Sequence, residues 1–167
     1  MTKRISTAHE VPADVGTTFL ALSSERWPEA VTVALQDDSR VVTREQTADG
    51  GALLIYSRKL PDGVPGFLQR FLPKDGRVTQ TDTWGPADTG GADRHGTWVA
   101  AFAGAPGEVH GTMTLTPTPA GCTWTVTGQA TFTIPLIGGR VESFIVELVE
   151  KLVAKQAPVL VELVQAD

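Results

Sequence analysis

The stretch CTWTVTGQATFTIPLIGGRVE, residues 122–142, decides the fold. Apolar and polar residues alternate from Cys122 to Ile134. Cys122, Trp124, Val126, Ala130, Phe132 and Ile134 fall on one side; Thr123, Thr125, Thr127, Gln129, Thr131 and Thr133 fall on the other. A period of two with one greasy and one hydroxyl-bearing face predicts a strand in a half-buried antiparallel sheet. Gly128 interrupts the apolar side, where it either bends the strand or leaves room for another group. Pro135 ends the alternation, and Gly138-Gly139 permit a tight turn and close approach of the next element. That element is helical. Val141, Ile145, Leu148, Leu152, Val159 and Leu163 form one stripe, which Phe144, Val149, Val153 and Leu160 widen. A helix of about 27 residues from Gly139 or Arg140 would span about 40 Å, with Pro158 expected to kink or interrupt it.

Working outward, residues 5–11 predict a short strand ending at Pro12. A helix follows from Ala13 and Asp14 to about Ser23, with Val15, Phe19 and Leu22 on one face. A second helix is expected over Glu25 to Leu35, with Pro28 in its first turn. Val41 to Thr47 and Ala52 to Leu60 flank Asp49-Gly50-Gly51 and predict a hairpin. In Arg77 to Trp84, the residues Val78, Gln80, Asp82 and Trp84 share one face. Residues 85–94 are rich in Gly, Asp and Pro and predict a loop. Gly96 to Ala103 and Val109 to Thr116 predict a further hairpin around Gly104-Ala105-Pro106-Gly107. The order is strand, two helices, about six antiparallel strands, one long helix. A curved sheet with one apolar face needs a cover, and only the terminal helix is large enough to provide it.

At 167 residues the chain is expected to form one domain that buries about two thirds of its extended surface. A net charge of −5 argues against nucleic-acid binding and against attraction to anionic lipid. A single cysteine, Cys122, excludes an internal disulfide, and its parity with Trp124 makes it a small buried group rather than a nucleophile. Lys3 and Arg4 are followed by Ser6, Thr7, His9 and Glu10, not by the apolar core of a secretory signal. No run of about 18 apolar residues is present, so no stable membrane insertion is expected and the location expected is cytoplasmic. The absence of asparagine and the abundance of Ala, Gly, Thr and Val suit a GC-rich bacterial genome.

The element order, with Pro12-Ala13-Asp14-Val15 after the first strand, resembles the START-like superfamily (SRPBCC; birch-pollen-allergen-like and polyketide-cyclase-like proteins). Residues 121–142, with Thr83-Trp84, resemble an actinobacterial family of unknown function within it. The resemblance implies an α+β helix-grip fold: a curved antiparallel sheet of about six to seven strands around a long C-terminal helix, with two short helices after the first strand. It also implies a deep cavity between sheet and helix, often holding a lipid, sterol or polyketide. It brings no catalytic residues with it.

On this reading Trp84, Trp98, Phe102, Met113, Trp124 and Phe132 line the cavity from the strands, although a filled core would select the same residues. Tyr56 adds a phenol, and Phe144, Leu148 and Leu152 face it from the helix. Phe71 joins them from the run 64–73, whose Phe67 and Phe71 share one helical face. That run is a lid at the cavity mouth, a surface touching a donor membrane or partner, or a crossover packed over the sheet end, and the crossover is preferred. Two residues are candidates for orienting a ligand. His9 has the parity of Ile5 and Val11. Asp82 shares a face with Trp84, but a solvated place near an open strand end is preferred for it. His95 and His110 are assigned to loop and solvent. Three histidines without a His-Glu-x-x-His spacing, and no P-loop, dinucleotide glycine fingerprint or Gly-x-Ser-x-Gly elbow, leave no metal or cofactor expected.

Three functions follow. The first is binding of a small hydrophobic ligand for transport, storage or sensing, with no catalysis. The second is a cyclase, aromatase or dehydratase acting on a polyketide-like compound, with Asp82, Tyr56 and His9 as the only acid–base candidates. The third is an interaction module or homodimer with a filled interior, the closing helix being apolar over much of its circumference. An apolar void favours the first. A void on which a carboxylate and a tyrosine or histidine converge favours the second. A solid interior favours the third.

Overall fold

A computed structural model of the chain describes residues 2–166 apart from 61, 62, 88–92, 103 and 105. In chain order the elements are β1 (Thr2–Val11), α1 (Val15–Leu22), α2 (Arg26–Leu35), β2 (Ser39–Gln46) and β3 (Ala52–Lys59). Then come α3 (Gly66–Gln69), β4 (Arg77–Ala87), β5 (Arg94–Ala101), β6 (Gly107–Thr118), β7 (Gly121–Phe132) and α4 (Gly138–Gln165). The seven strands form one antiparallel sheet in the order β1-β7-β6-β5-β4-β3-β2. The long C-terminal helix lies in its grip, the α+β arrangement expected.

The alternation is realised from Cys122 to Phe132, where β7 ends; Thr133 and Ile134, expected to continue it, lie beyond the strand. Cys122, Trp124, Val126, Ala130 and Phe132 are buried, and the intervening threonines lie nearer water. Asp14 caps α1 by accepting from the Thr17 N–H at 2.7 Å. That bond holds its carboxyl below the usual range. β1 starts three residues earlier than its apolar pattern, because Thr2, Lys3 and Arg4 continue the ladder with Thr131, Ala130 and Gln129. β4 runs on to Ala87 through a bulge after Trp84, and β5 begins at Arg94. The loop expected over 85–94 is therefore shorter, and its middle, 88–92, lies outside the described residues. β5 ends at Ala101, and residue 103, expected to close it, also lies outside them.

Pro158 does not interrupt α4, which is continuous from Gly138 to Gln165. The proline sits on the exposed side of the helix, as does Ala154, whose carbonyl loses its partner there and faces water. α4 packs chiefly on β1 and β7 and on α1 and α2. Its first turn is fastened to β7: the fully buried Glu142 accepts from the Phe132 N–H at 2.8 Å. Further along, Glu150 accepts from the Ser6 N–H of the edge strand β1 at 3.0 Å.

Gly128 makes room. It faces Gly111 across the β6–β7 ladder, where a Cβ on Gly111 would stand 1.8 Å from the Thr127 carbonyl oxygen. A Cβ on Gly128 itself would stand 2.7 Å from Cζ2 of Trp98. The missing side chain thus lets the Trp98 indole lie across β7, where its Nε1–H donates to the Thr127 carbonyl at 3.0 Å.

Candidate functional site

Because α4 rests on the β1 and β7 side, the concave face of the central strands is left uncovered beneath it. A cavity of about 520 Å3 occupies that space, within the usual size of small-molecule sites. Its inner part is apolar and aromatic. Trp84 from β4, Trp98 from β5, Met113 from β6 and Trp124 from β7 form the floor. Trp27 of α2 meets Trp124 edge-to-face, with ring centroids 6.0 Å apart. Ile145, Leu148, Val149, Leu152 and Val153 of α4 form the roof.

The other end is polar. Asp82 of β4 is only 5% exposed. One of its oxygens accepts from Gln80 Nε2 at 2.9 Å, the other from the Tyr56 hydroxyl at 3.4 Å. Burial raises the Asp82 carboxyl to about 6, against the lowering effect of Gln80, Arg58 and Tyr56. Burial likewise pushes the Tyr56 phenol well above its ordinary value, and the Asp82 charge adds to this. Arg58 lies over the Tyr56 ring at 5.9 Å, pairs with Asp37 at 3.3 Å and donates to Gln80 Oε1 at 3.3 Å. With its amide oxygen turned towards β3, Gln156 of α4 also accepts from Arg58, at 3.2 and 3.0 Å. Arg77 pairs with Asp38 at 2.9 Å. Gln36 and Lys59 also line this end and are exposed, so it meets solvent.

Of the eleven residues expected to line a cavity, Tyr56, Trp84, Trp98, Phe102, Met113, Trp124, Leu148 and Leu152 stand in its wall. Phe71, Phe132 and Phe144 do not. Phe132 turns its ring edge-to-face onto Phe102, at 6.0 Å, and fills the space Gly107 leaves open. Phe144 precedes Ile145 and so points about 100° away round the helix. Phe71 follows the single turn of α3, with Arg70 stacked on its ring at 4.9 Å. The run 64–73 is a packed crossover between β3 and β4: Leu68 is buried, and Val64, Phe67 and Leu72 rest on the core.

The solvated place preferred for Asp82 is wrong. Its strand continues to Ala87, and Tyr56 and Trp98 close over it from both neighbouring strands. His9 is half-buried, 6.4 Å from the Trp124 ring centroid, with Thr7 Oγ1 2.9 Å from its Nε2. It has no place in the cavity wall and does not meet Asp82. His95, expected in a loop, lies in β5. Cys122 is fully buried against Thr18, and burial raises its thiol. Among the described residues no three His, Cys, Asp or Glu side chains cluster as metal ligands would, and no helix is long and apolar enough to cross a membrane.

Sequence reasoning misses Trp27, Arg58, Asp37 and Gln156. Arg58 has the parity of Tyr56. Gln156 stands four residues after Leu152, a polar residue on the apolar stripe, and that break in pattern is the available signal.

A curved antiparallel sheet gripping a long terminal helix is the START-like, helix-grip fold. The chain belongs to the family described as Protein of unknown function (DUF2505), whose model matches residues 6–164. No curated protein matches the chain by sequence. Among solved structures, TTHA0849 from Thermus thermophilus is similar with a TM-score of 0.61 and 17% identity, over 98% of both chains. A norcoclaurine synthase point mutant from Thalictrum flavum, in complex with a transition-state analogue, gives 0.61 and 16%, over 99% of this chain and 96% of that one. Human STARD10 gives 0.59 and 14%, over 95% of this chain and 63% of that one. At these identities the likeness is one of fold.

Proposed function

We propose that this protein encloses a small hydrophobic ligand, lipid-like, sterol-like or polyketide-like, between its sheet and α4, for transport, storage or sensing. The observation that carries the reading is the cavity of about 520 Å3 floored by tryptophans and roofed by aliphatic side chains, with polar groups gathered at one end. Burial of ligand surface supplies the affinity and the polar end sets orientation. At about 0.3 kcal/mol per non-hydrogen atom, a ligand of about 25 such atoms binds with a Kd in the low micromolar range.

Native mass spectrometry of protein taken from cells, followed by solvent extraction, is expected to show a bound apolar compound. An apolar fluorescent dye is expected to bind the stripped protein and to be excluded by Leu152→Trp, which fills the roof. A stripped protein that takes up neither the dye nor any member of a lipid and polyketide panel would refute the reading.

One observation favours a second reading, acid–base catalysis on the bound compound. A carboxyl titrating near 6 and a phenol converge at the end of the cavity. Both readings require binding in the same place. They separate on whether an extracted ligand returns from the protein chemically changed, a change that Asp82→Asn would abolish.

A further inference from the structure

Asp82 differs from the other carboxylates of the cavity in what answers its charge. Asp37 is paired with Arg58 at 3.3 Å and Asp38 with Arg77 at 2.9 Å. The partners of Asp82 are a neutral amide and a neutral phenol, and no described cation lies within ion-pairing distance of it. The groups facing it are these. β3 contributes Tyr56 and Arg58; β4 contributes Gln80; β5 contributes Trp98; α4 contributes Gln156; the α2–β2 connection contributes Asp37. Lys59 and Asp38 also line this end, the first exposed and the second paired with Arg77; Arg58 is the cation whose charge acts on Asp82, and its guanidinium is held by Asp37, Gln80 and Gln156.

The surroundings of this carboxylate are aromatic. Trp98 is its direct cross-strand partner on β5. Trp84 stands two residues along β4 on the same face, and Tyr56 lies diagonally across on β3. The Trp98 N–H is taken up by the Thr127 carbonyl, so what its indole offers the cavity is hydrocarbon and π-electron surface. A single negative charge ringed by aromatic faces, at the end of an apolar cavity, matches a protonated amine in three respects. The carboxylate answers the charge, the rings attract it through their quadrupoles, and the apolar chamber takes the hydrocarbon body.

Building on the cavity reading above, we propose that the ligand is a hydrophobic amine, its ammonium seated on Asp82 between Tyr56, Trp84 and Trp98 and its apolar body directed towards Met113 and Trp124. A hydroxyl donor would meet the same oxygens but would leave the charge unanswered.

The test uses three probes of matched size, 2-(2-naphthyl)ethylamine, 2-(2-naphthyl)ethanol and 2-ethylnaphthalene, titrated into the full chain by calorimetry between pH 5 and 8. At pH 7.5 the amine is expected to bind at least tenfold more tightly than the alcohol or the hydrocarbon. Its advantage should shrink about tenfold per pH unit below about 6, where Asp82 takes up a proton. Asp82→Asn should abolish the advantage, so that the amine binds no more tightly than the alcohol or the hydrocarbon in that variant, and the pH series on the native chain tests the same point should that variant fail to fold. Equal affinity of amine and alcohol at pH 7.5, or an amine preference that survives in Asp82→Asn, would overturn the inference while leaving the cavity reading intact. If none of the three binds while the apolar dye does, the inference falls and the cavity reading stands; if the dye and the lipid and polyketide panel fail as well, both fall.

Discussion

Replacing Asp82 by asparagine is expected to stabilise the ligand-free protein at neutral pH, against the usual direction of a substitution in a buried site. The Asp82 carboxyl ordinarily titrates at 3.8 and here at about 6. The folded state therefore holds a proton more tightly than the unfolded chain, and between those two values it carries the larger share of protons. Stability must fall as pH rises through this window, and the loss is complete above about 6. At 1.36 kcal/mol per pH unit, the ionised carboxylate costs the fold about 3 kcal/mol at pH 7. Asparagine has nearly the same shape, can accept from Tyr56 or Gln80, and carries no charge to desolvate. Urea unfolding of both proteins from pH 4 to pH 8 isolates the effect, because any constant difference in hydrogen bonding drops out of the pH trend. The stability of Asp82→Asn relative to the native chain should rise by about 2 kcal/mol between pH 4 and pH 7, part of the full effect being already present at pH 4, and then level off. A difference that stays flat across that range would show that the carboxylate is ionised in a well-solvated setting, and the electrostatic description of the polar end would be refuted.

Arg58→Met removes the cation whose field favours ionised Asp82, so the upper limit of that window should move above about 6, measured by the same unfolding series. Gly128→Ala drives a methyl into the Trp98 ring and the His110 carbonyl; a loss of about 1–3 kcal/mol is expected, with part recovered when Trp98→Phe is combined with it. Glu142→Leu leaves the buried Phe132 N–H without its acceptor and should cost about 1–3 kcal/mol in urea unfolding. Glu142→Gln keeps an acceptor and should cost less.

Much of the architecture is legible because strand parity and helix periodicity are local. The alternation of Cys122 to Ile134 and the stripe from Val141 to Leu163 need no knowledge of the rest of the chain. Parity, however, gives the face and not the depth. It puts Asp82 on the correct side of β4, yet a carboxylate two residues from Gln80 in a threonine-rich strand looks solvated. What buries it comes from elsewhere: Tyr56 from 26 residues earlier, and Trp98 from the next strand. Phe132 and Phe144 escape the same reasoning. Each is apolar in an apolar element, and whether a ring borders a void or another ring depends on packing across elements, such as Phe132 against Phe102 and Gly107. Pro158 leaves its helix whole because a proline on the solvent side frees a carbonyl that water can satisfy.

Two buried polar side chains tie α4 to the sheet in unequal ways. Near its start, a fully sequestered carboxylate grips the main chain of β7. Fourteen residues on, about 21 Å along the axis, Gln156 touches Arg58 through an uncharged amide beside exposed Gln36 and Lys59. Detaching the first contact leaves the Phe132 N–H without its acceptor in a dry interior; releasing the second needs only water to take the amide's place. In the proposed binding role, the contact that water can replace at least cost is therefore the one between Gln156 and Arg58, at the end of the cavity where Gln36 and Lys59 meet solvent.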